Sequence, residues 1–278
     1  MSKKNIVFLG DSITAGVIAG PELDYRKKGY ASFVREYFEN KKQLGTYYNF
    51  AVSGFMTGDV LNQFKGNITH NENIAFNILS EKCYRLTKKR VGQDTIKFTH
   101  PDIHILDAIA SADLLVLTLG ANDLIRLFRK FSDESVTKVI QSIISNDYTQ
   151  ETLHTALKNY LVMMNLIVDI NPDIEIILLG TYVPSGEEAI VKRLFPKFSM
   201  LEDALYDTVG NEFPDNIKVI KPRNIFKANC KEFVTSKIDI HPSTEGHKAL
   251  AELVLQNQTQ IKYQSGQVFG YNQVNIKK

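Results

Sequence analysis

Residues 6–12 read Ile6-Val7-Phe8-Leu9-Gly10-Asp11-Ser12: four apolar, β-prone residues, then a glycine, an acid and a serine. An apolar run this short, without polar alternation, reads as a strand buried on both faces, and such strands belong to parallel sheets covered by helices. Gly10-Asp11-Ser12 is then the exit turn, and it puts Ser12 at the carboxyl end of the strand, where open α/β sheets collect their ligands. The same serine also fits as the N-cap of the next helix. Its role therefore rests on partners elsewhere in the chain.

Working outward, strand-like apolar runs recur at 5–9, 47–52, 114–119, 174–179 and 217–220. Segments of helical period lie between them. Phe33, Val34, Tyr37 and Phe38 mark a helix over 30–43; Leu153, Leu157, Leu161, Met164 and Val168 mark one over 151–170. A last helix is expected from Glu245 to about Gln258, with Ala249, Leu250, Leu253 and Val254 inward. Strand and helix in alternation imply right-handed crossovers and a three-layer α/β/α sandwich of about five parallel strands. The expected organisation is one domain over 1–259. A polar insertion at 66–100 is longer than an ordinary connection, and a polar extension follows at 260–278. Phe76, Ile78, Leu79 and Tyr84 in the insertion would suit either a lid over the site or a helical insert against the sheet edge.

The 278 residues suffice for one large core, and 44% hydrophobic with 23% charged residues is a globular composition. A formal charge of +2 gives no reason to expect a nucleic-acid or anionic-membrane partner. No run reaches the length of an integral membrane segment, and the apolar run after Lys3 and Lys4 is too short for an export signal. The expectation is a cytoplasmic protein, or an extracellular one if the chain is a processed mature form. Cys83 and Cys230 are too few for a disulfide framework and lack metal or redox spacing.

Three further turns at strand ends, or before the last helix, carry unusual residues. They are Ser53-Gly54-Phe55-Met56-Thr57-Gly58-Asp59, Gly120-Ala121-Asn122-Asp123, and Asp239-Ile240-His241-Pro242-Ser243. Singly each has an ordinary explanation: a turn glycine for Gly54, an Asx turn for Asn122, a packed loop histidine for His241. Together with Ser12 they form an ordered set of serine, glycine, asparagine and histidine. This set resembles the GDSL or SGNH hydrolase family of esterases and lipases. Leu9-Gly10-Asp11-Ser12-Ile13-Thr14 matches the family's nucleophile block, and Leu119-Gly120-Ala121-Asn122-Asp123-Leu124 matches its Gly-x-Asn-Asp block. Gly54 with Thr57 and Asp59 fits the glycine block; His241-Pro242 with Gly246-His247 fits the histidine block.

The resemblance implies a flavodoxin-like fold and ester hydrolysis through a Ser12 acyl-enzyme, with His241 as general base. It implies an oxyanion hole from the Ser12 N–H, the Gly54 N–H and the Asn122 side chain, with no metal and no cofactor. The expected partner is a small-molecule or lipid ester. These residue types suit the chemistry. A serine hydroxyl needs an adjacent base, imidazole can take and return the proton near neutrality, and the charge driven onto the acyl oxygen needs fixed donors. Asp11 and Asp123 are read as hydrogen-bonding supports.

One position departs from the family pattern, which places an orienting aspartate three residues before the histidine. Ile238 stands there, and the nearest acid is Asp239, two residues before His241. Asp239 is the candidate third member; a backbone carbonyl or a distant carboxylate such as Asp215 are the alternatives. The departure also leaves open a catalytically decayed binding protein for carbohydrate or lipid, and a sugar or peptidoglycan O-deacetylase is a further variant. His100 and His104 have zinc-like spacing, but Pro101 places a helix start between them and no glutamate follows the first histidine. They are read as no metal site.

Overall fold

In a computed structural model of the chain, residues 3–18, 28–65, 103–124, 147–182, 189–235 and 241–259 are described. The expected insertion at 66–100, the extension at 260–278 and Cys83 lie outside them.

Five strands form one parallel sheet: β1 (Lys4–Gly10), β2 (Leu44–Asn49), β3 (Leu114–Thr118), β4 (Glu175–Leu179) and β5 (Ile217–Ile220). Their order across the sheet is β2-β1-β3-β4-β5, all neighbours parallel. The direction of winding reverses between β1 and β3. In such sheets that switch point opens a crevice outside the carboxyl ends of the strands, and both the Ser12 and the Asn122 turns border it.

The central strands are apolar at every position because both faces are covered. Val7, Leu9, Leu115 and Leu117 join one core; Ile6, Phe8, Leu114 and Val116 join the other. The first core is closed by α3 (Thr57–Phe64), α4 (Ile105–Ala110), α5 (Asp147–Ile170) and α6 (Ala189–Glu212). The second is closed by α2 (Tyr30–Asn40) and by α9 (Thr244–Asn257), which pack on each other. Short α1 (Ser12–Ala15) follows β1, and α7 (Arg223–Ala228) and α8 (Cys230–Phe233) lead towards α9. This is the expected three-layer flavodoxin-like sandwich.

Two expectations shift. The second strand spans Leu44–Asn49 instead of 47–52, because its first residues, Leu44-Gly45-Thr46, are a half-exposed edge with no apolar signature. Phe50 and Val52 nevertheless continue the ladder, donating to Phe8 O at 2.9 Å and Gly10 O at 3.0 Å. On α5 the buried face is Ala156, Tyr160, Met163, Met164 and Ile167, whereas Leu153, Leu157, Leu161 and Val168 flank it only half-buried. The helix also carries apolar Val162, Leu166 and Ile170 on its exposed side. These apolar residues, interspersed with polar ones on the exposed side, blur the period, which therefore did not fix which stripe faces the sheet.

Candidate active site

The Gly10-Asp11-Ser12 turn is built by close approach of two strand ends. Gly10 has φ +133°, and a Cβ there would lie 2.1 Å from Thr118 O. Only glycine lets the end of β1 sit against the end of β3. Asp11 N–H donates to Thr118 O at 3.1 Å. The Asp11 carboxylate caps α1 through Oδ1, accepting from Ile13 N–H at 3.0 Å and from the Thr118 hydroxyl at 2.8 Å. The N-cap is therefore Asp11, and Ser12 stands at the first helical position, buried with 4% exposure.

A buried hydroxyl chain extends from this carboxylate. The hydroxyls of Thr118 and Thr14 are 2.7 Å apart, as are those of Thr14 and Tyr30. Each hydroxyl has one proton. Since Thr118 donates to Asp11, Thr14 must donate to Thr118 and Tyr30 to Thr14. Tyr30 N–H in turn donates to Nδ1 of His247 at 3.2 Å, leaving Nε2–H of that ring to donate to Val17 O at 2.9 Å. His247 is thus held as one neutral tautomer, and burial pushes its pKa down to about 4. It braces the chain on either side of the turn; it is not exposed to any substrate.

The glycine and asparagine turns are tied to each other. Gly54 is buried with φ 86°. The next residue offers its carbonyl to Asn122, whose Nδ2 donates to Phe55 O at 2.9 Å. An amide nitrogen has two hydrogens, so one remains for another acceptor. Asp123 grips the same segment through both carboxylate oxygens, taking Thr57 N–H at 3.0 Å and the Thr57 hydroxyl at 2.7 Å. Asn159 of α5 donates to that hydroxyl at 3.0 Å. Among the described residues, neither Ser12 N–H nor Gly54 N–H has an acceptor.

His241 is buried with 2% exposure. Ser243, two residues on, fixes it to the scaffold: Ser243 N–H donates to Phe233 O at 2.7 Å, its hydroxyl donates to Glu232 O at 2.7 Å and accepts from Gly246 N–H at 3.0 Å as the N-cap of α9. His241 lies close enough to the nucleophile turn to act electrostatically on Asp11 and on His247. Burial pushes the Asp11 carboxyl up to about 6, against the pull of Ile13 N–H, the Thr118 hydroxyl and His241. Burial likewise raises Asp123 to about 6 against its two bonds from Thr57.

Asp239 and Ile238 lie outside the described residues. Asp215 is exposed and precedes β5, so it stands at the amino end of the sheet, a full strand length from the end that carries Ser12. That placement removes it as the group orienting His241. His104 is the exposed N-cap of α4, its Nδ1 accepting from Leu106 N–H at 3.3 Å, while His100 is outside the described residues. No group of three potential metal ligands occurs among the described residues.

Apart from Thr14, which ends the Leu9–Thr14 block, several supporting residues gave no motif signal in the sequence. Thr118, Thr14 and Tyr30 form the hydroxyl chain, and Tyr160 and Tyr206 both donate to Leu119 O. Glu202 is fully buried beside them, accepting from the Thr181 hydroxyl and from Thr181 N–H at 3.2 Å. Their only sequence mark is a polar residue within an apolar face.

Among solved structures, the chain is similar to phospholipase A1 from Streptomyces albidoflavus, at TM-score 0.61 and 14% identity over 92% of this chain and 100% of that one. It is similar to a lipase from a goat rumen metagenome at TM-score 0.54 and 21% identity, covering 92% and 97%. It is also similar to the acetylxylan esterase Axe2 from Geobacillus stearothermophilus at TM-score 0.51 and 16% identity, covering 92% and 94%. At these identities the likeness concerns the fold. No curated protein sequence matches the chain. The GDSL-like lipase/acylhydrolase family matches residues 8–249, a span holding Ser12, Gly54, Asn122 and His241, and the chain belongs to that family.

Proposed function

We propose that the protein is a carboxylic ester hydrolase working through a Ser12 acyl-enzyme. The observation that supports this most is positional: Ser12, Gly54 and Asn122 stand at the carboxyl ends of three adjacent strands around the switch point, and the charge of buried His241 reaches Asp11 of the Ser12 turn. Similarity in fold to a phospholipase A1, a lipase and an acetylxylan esterase agrees with an ester substrate.

In the acylation step Ser12 Oγ attacks the acyl carbon as its proton passes to His241. The carbonyl π electrons move onto oxygen, and the resulting oxyanion is met by Ser12 N–H, Gly54 N–H and the second N–H of Asn122 Nδ2. Collapse of the tetrahedral species expels the alcohol, which takes the proton from the imidazolium. Water then repeats the sequence on the acyl-serine, returning the carboxylic acid and free Ser12. The proposed role of Asp11 is to hold the turn through Ile13 and Thr118 and to place a carboxylate near the imidazolium as it forms. Asp239 is proposed to orient the ring of His241.

The test is turnover of a short aryl ester by wild-type, Ser12→Ala and Asp239→Asn proteins. Loss of turnover in Ser12→Ala is expected. A fall of up to about 10⁴ in Asp239→Asn marks a triad, whereas a small effect marks a Ser-His dyad. An inactive wild-type protein that still binds acylated sugar or lipid would favour a decayed binding protein instead.

A further inference from the structure

Leu119 is the first residue beyond β3, and its carbonyl is the point from which the Gly120–Asn122 turn springs. Two tyrosine hydroxyls converge on that one oxygen, Tyr160 of α5 at 2.6 Å and Tyr206 of α6 at 2.5 Å. Both tyrosines are almost fully buried, their rings edge to face with centroids 6.1 Å apart and an interplanar angle of 85°. The same rings wall the next residue. A Cβ on Gly120, whose φ is +100°, would lie 3.5 Å from Tyr160 Cε2 and 3.8 Å from Tyr206 Cε1.

A carbonyl oxygen has two lone pairs, and here both are taken by groups on two different helices. The peptide cannot rotate without breaking both of these bonds, and its buried carbonyl is costly to leave unpaired. Phenylalanine would fill the same space and spare that cost, so packing alone does not call for the hydroxyls. The turn they fix carries Asn122, whose side-chain amide donates across the site to Phe55 O. We propose that Tyr160 and Tyr206 are positioning residues for the oxyanion-binding amide of Asn122, clamping the Leu119–Gly120 peptide from the far side. This inference rests on the esterase reading above. A donor must sit about 2.7–3.1 Å from the oxyanion, and a misplacement of about 1 Å costs on the order of 10² in rate.

The experiment is a mutant cycle of Tyr160→Phe, Tyr206→Phe and the double variant, each made in wild-type and in Asn122→Ala backgrounds, with kcat and KM measured on a short aryl ester. In the wild-type background each single change is expected to lower kcat by about 3- to 10-fold and the double by about 10²-fold, with KM little changed. In the Asn122→Ala background the same changes are expected to lower kcat less than about 2-fold, because no amide is left to position. Equal losses in both backgrounds, or no loss in either, would overturn the proposal. Should the double variant fail to fold, the single variants complete the cycle. A Ser12→Ala control separates the two levels: turnover in that variant sinks the esterase reading, whereas an inactive control with additive tyrosine effects sinks only the clamp.

Discussion

At Gly10 a single missing methyl decides whether the turn that carries Ser12 can exist. A Cβ would lie 2.1 Å from Thr118 O, and that oxygen belongs to the neighbouring strand and cannot move aside. Gly10→Ala is therefore expected to destabilise the protein by about 3 kcal/mol or more, from overlap and from the positive φ together; urea unfolding would measure it, and a loss under about 1 kcal/mol would refute the close approach. Asn122 is proposed to act on chemistry instead. With one Nδ2 hydrogen on Phe55 O and the other available to the oxyanion, Asn122→Ala is expected to lower kcat by about 10² to 10³ with little change in KM. A parallel rise in KM with kcat preserved would assign the side chain to ground-state binding. Ser12, Gly54, Asn122 and His241 could be picked out as candidates in the sequence because each stands in a turn at a strand end or just before the last helix. Asp215 was separable only in three dimensions, since proximity along the chain says nothing about which end of the sheet a residue occupies.

Elements do the positioning, chiefly through their first turns. Asp11 caps α1 and leaves Ser12 at its first helical position, and Ser243 caps α9 two residues after His241. Ser243 also bonds Glu232 O, so Ser243→Ala removes both a cap and an anchor for the histidine segment. It is expected to cost about 1–2 kcal/mol of stability and, through a looser His241, to lower kcat by several-fold; stability lost with kcat intact would show that the cap does not position the base. The alternation of strands and helices was readable because the central strands are buried on both faces and hence continuously apolar. The start of β2 and the inward face of α5 were not. An edge strand needs no apolar pattern, and a helix with apolar residues on its exposed side as well does not sharply reveal its core side. For the same reason Tyr160 escaped notice, although its hydroxyl reaches the end of β3.

The whole molecule encloses several ionisable groups, and their shifts set how its stability depends on pH. Burial raises Glu202 from 4.5 to about 7, and Asp11 and Asp123 from 3.8 to about 6. Over these windows the native state keeps protons that the unfolded state has released, so these three groups make stability fall as pH rises. His247 has the opposite sign: with its pKa lowered from 6.5 to about 4, the unfolded state takes up the extra proton, and stability is lost as pH falls through that range. Glu202 can be isolated by Glu202→Gln, which cannot titrate. Wild-type protein is expected to lose up to about 3 kcal/mol relative to this variant between pH 4 and pH 8; parallel unfolding curves for the two proteins would contradict the buried charge. The proposed chemistry turns on one atom, the hydroxyl oxygen of Ser12. The most direct test is intact-protein mass spectrometry with peptide mapping after reaction with a fluorophosphonate. The account predicts one phosphonyl adduct, located on Ser12, whose appearance parallels loss of esterase activity; an active protein that acquires no adduct, or one that is inactivated by an adduct elsewhere while Ser12→Ala still turns over ester, would contradict it.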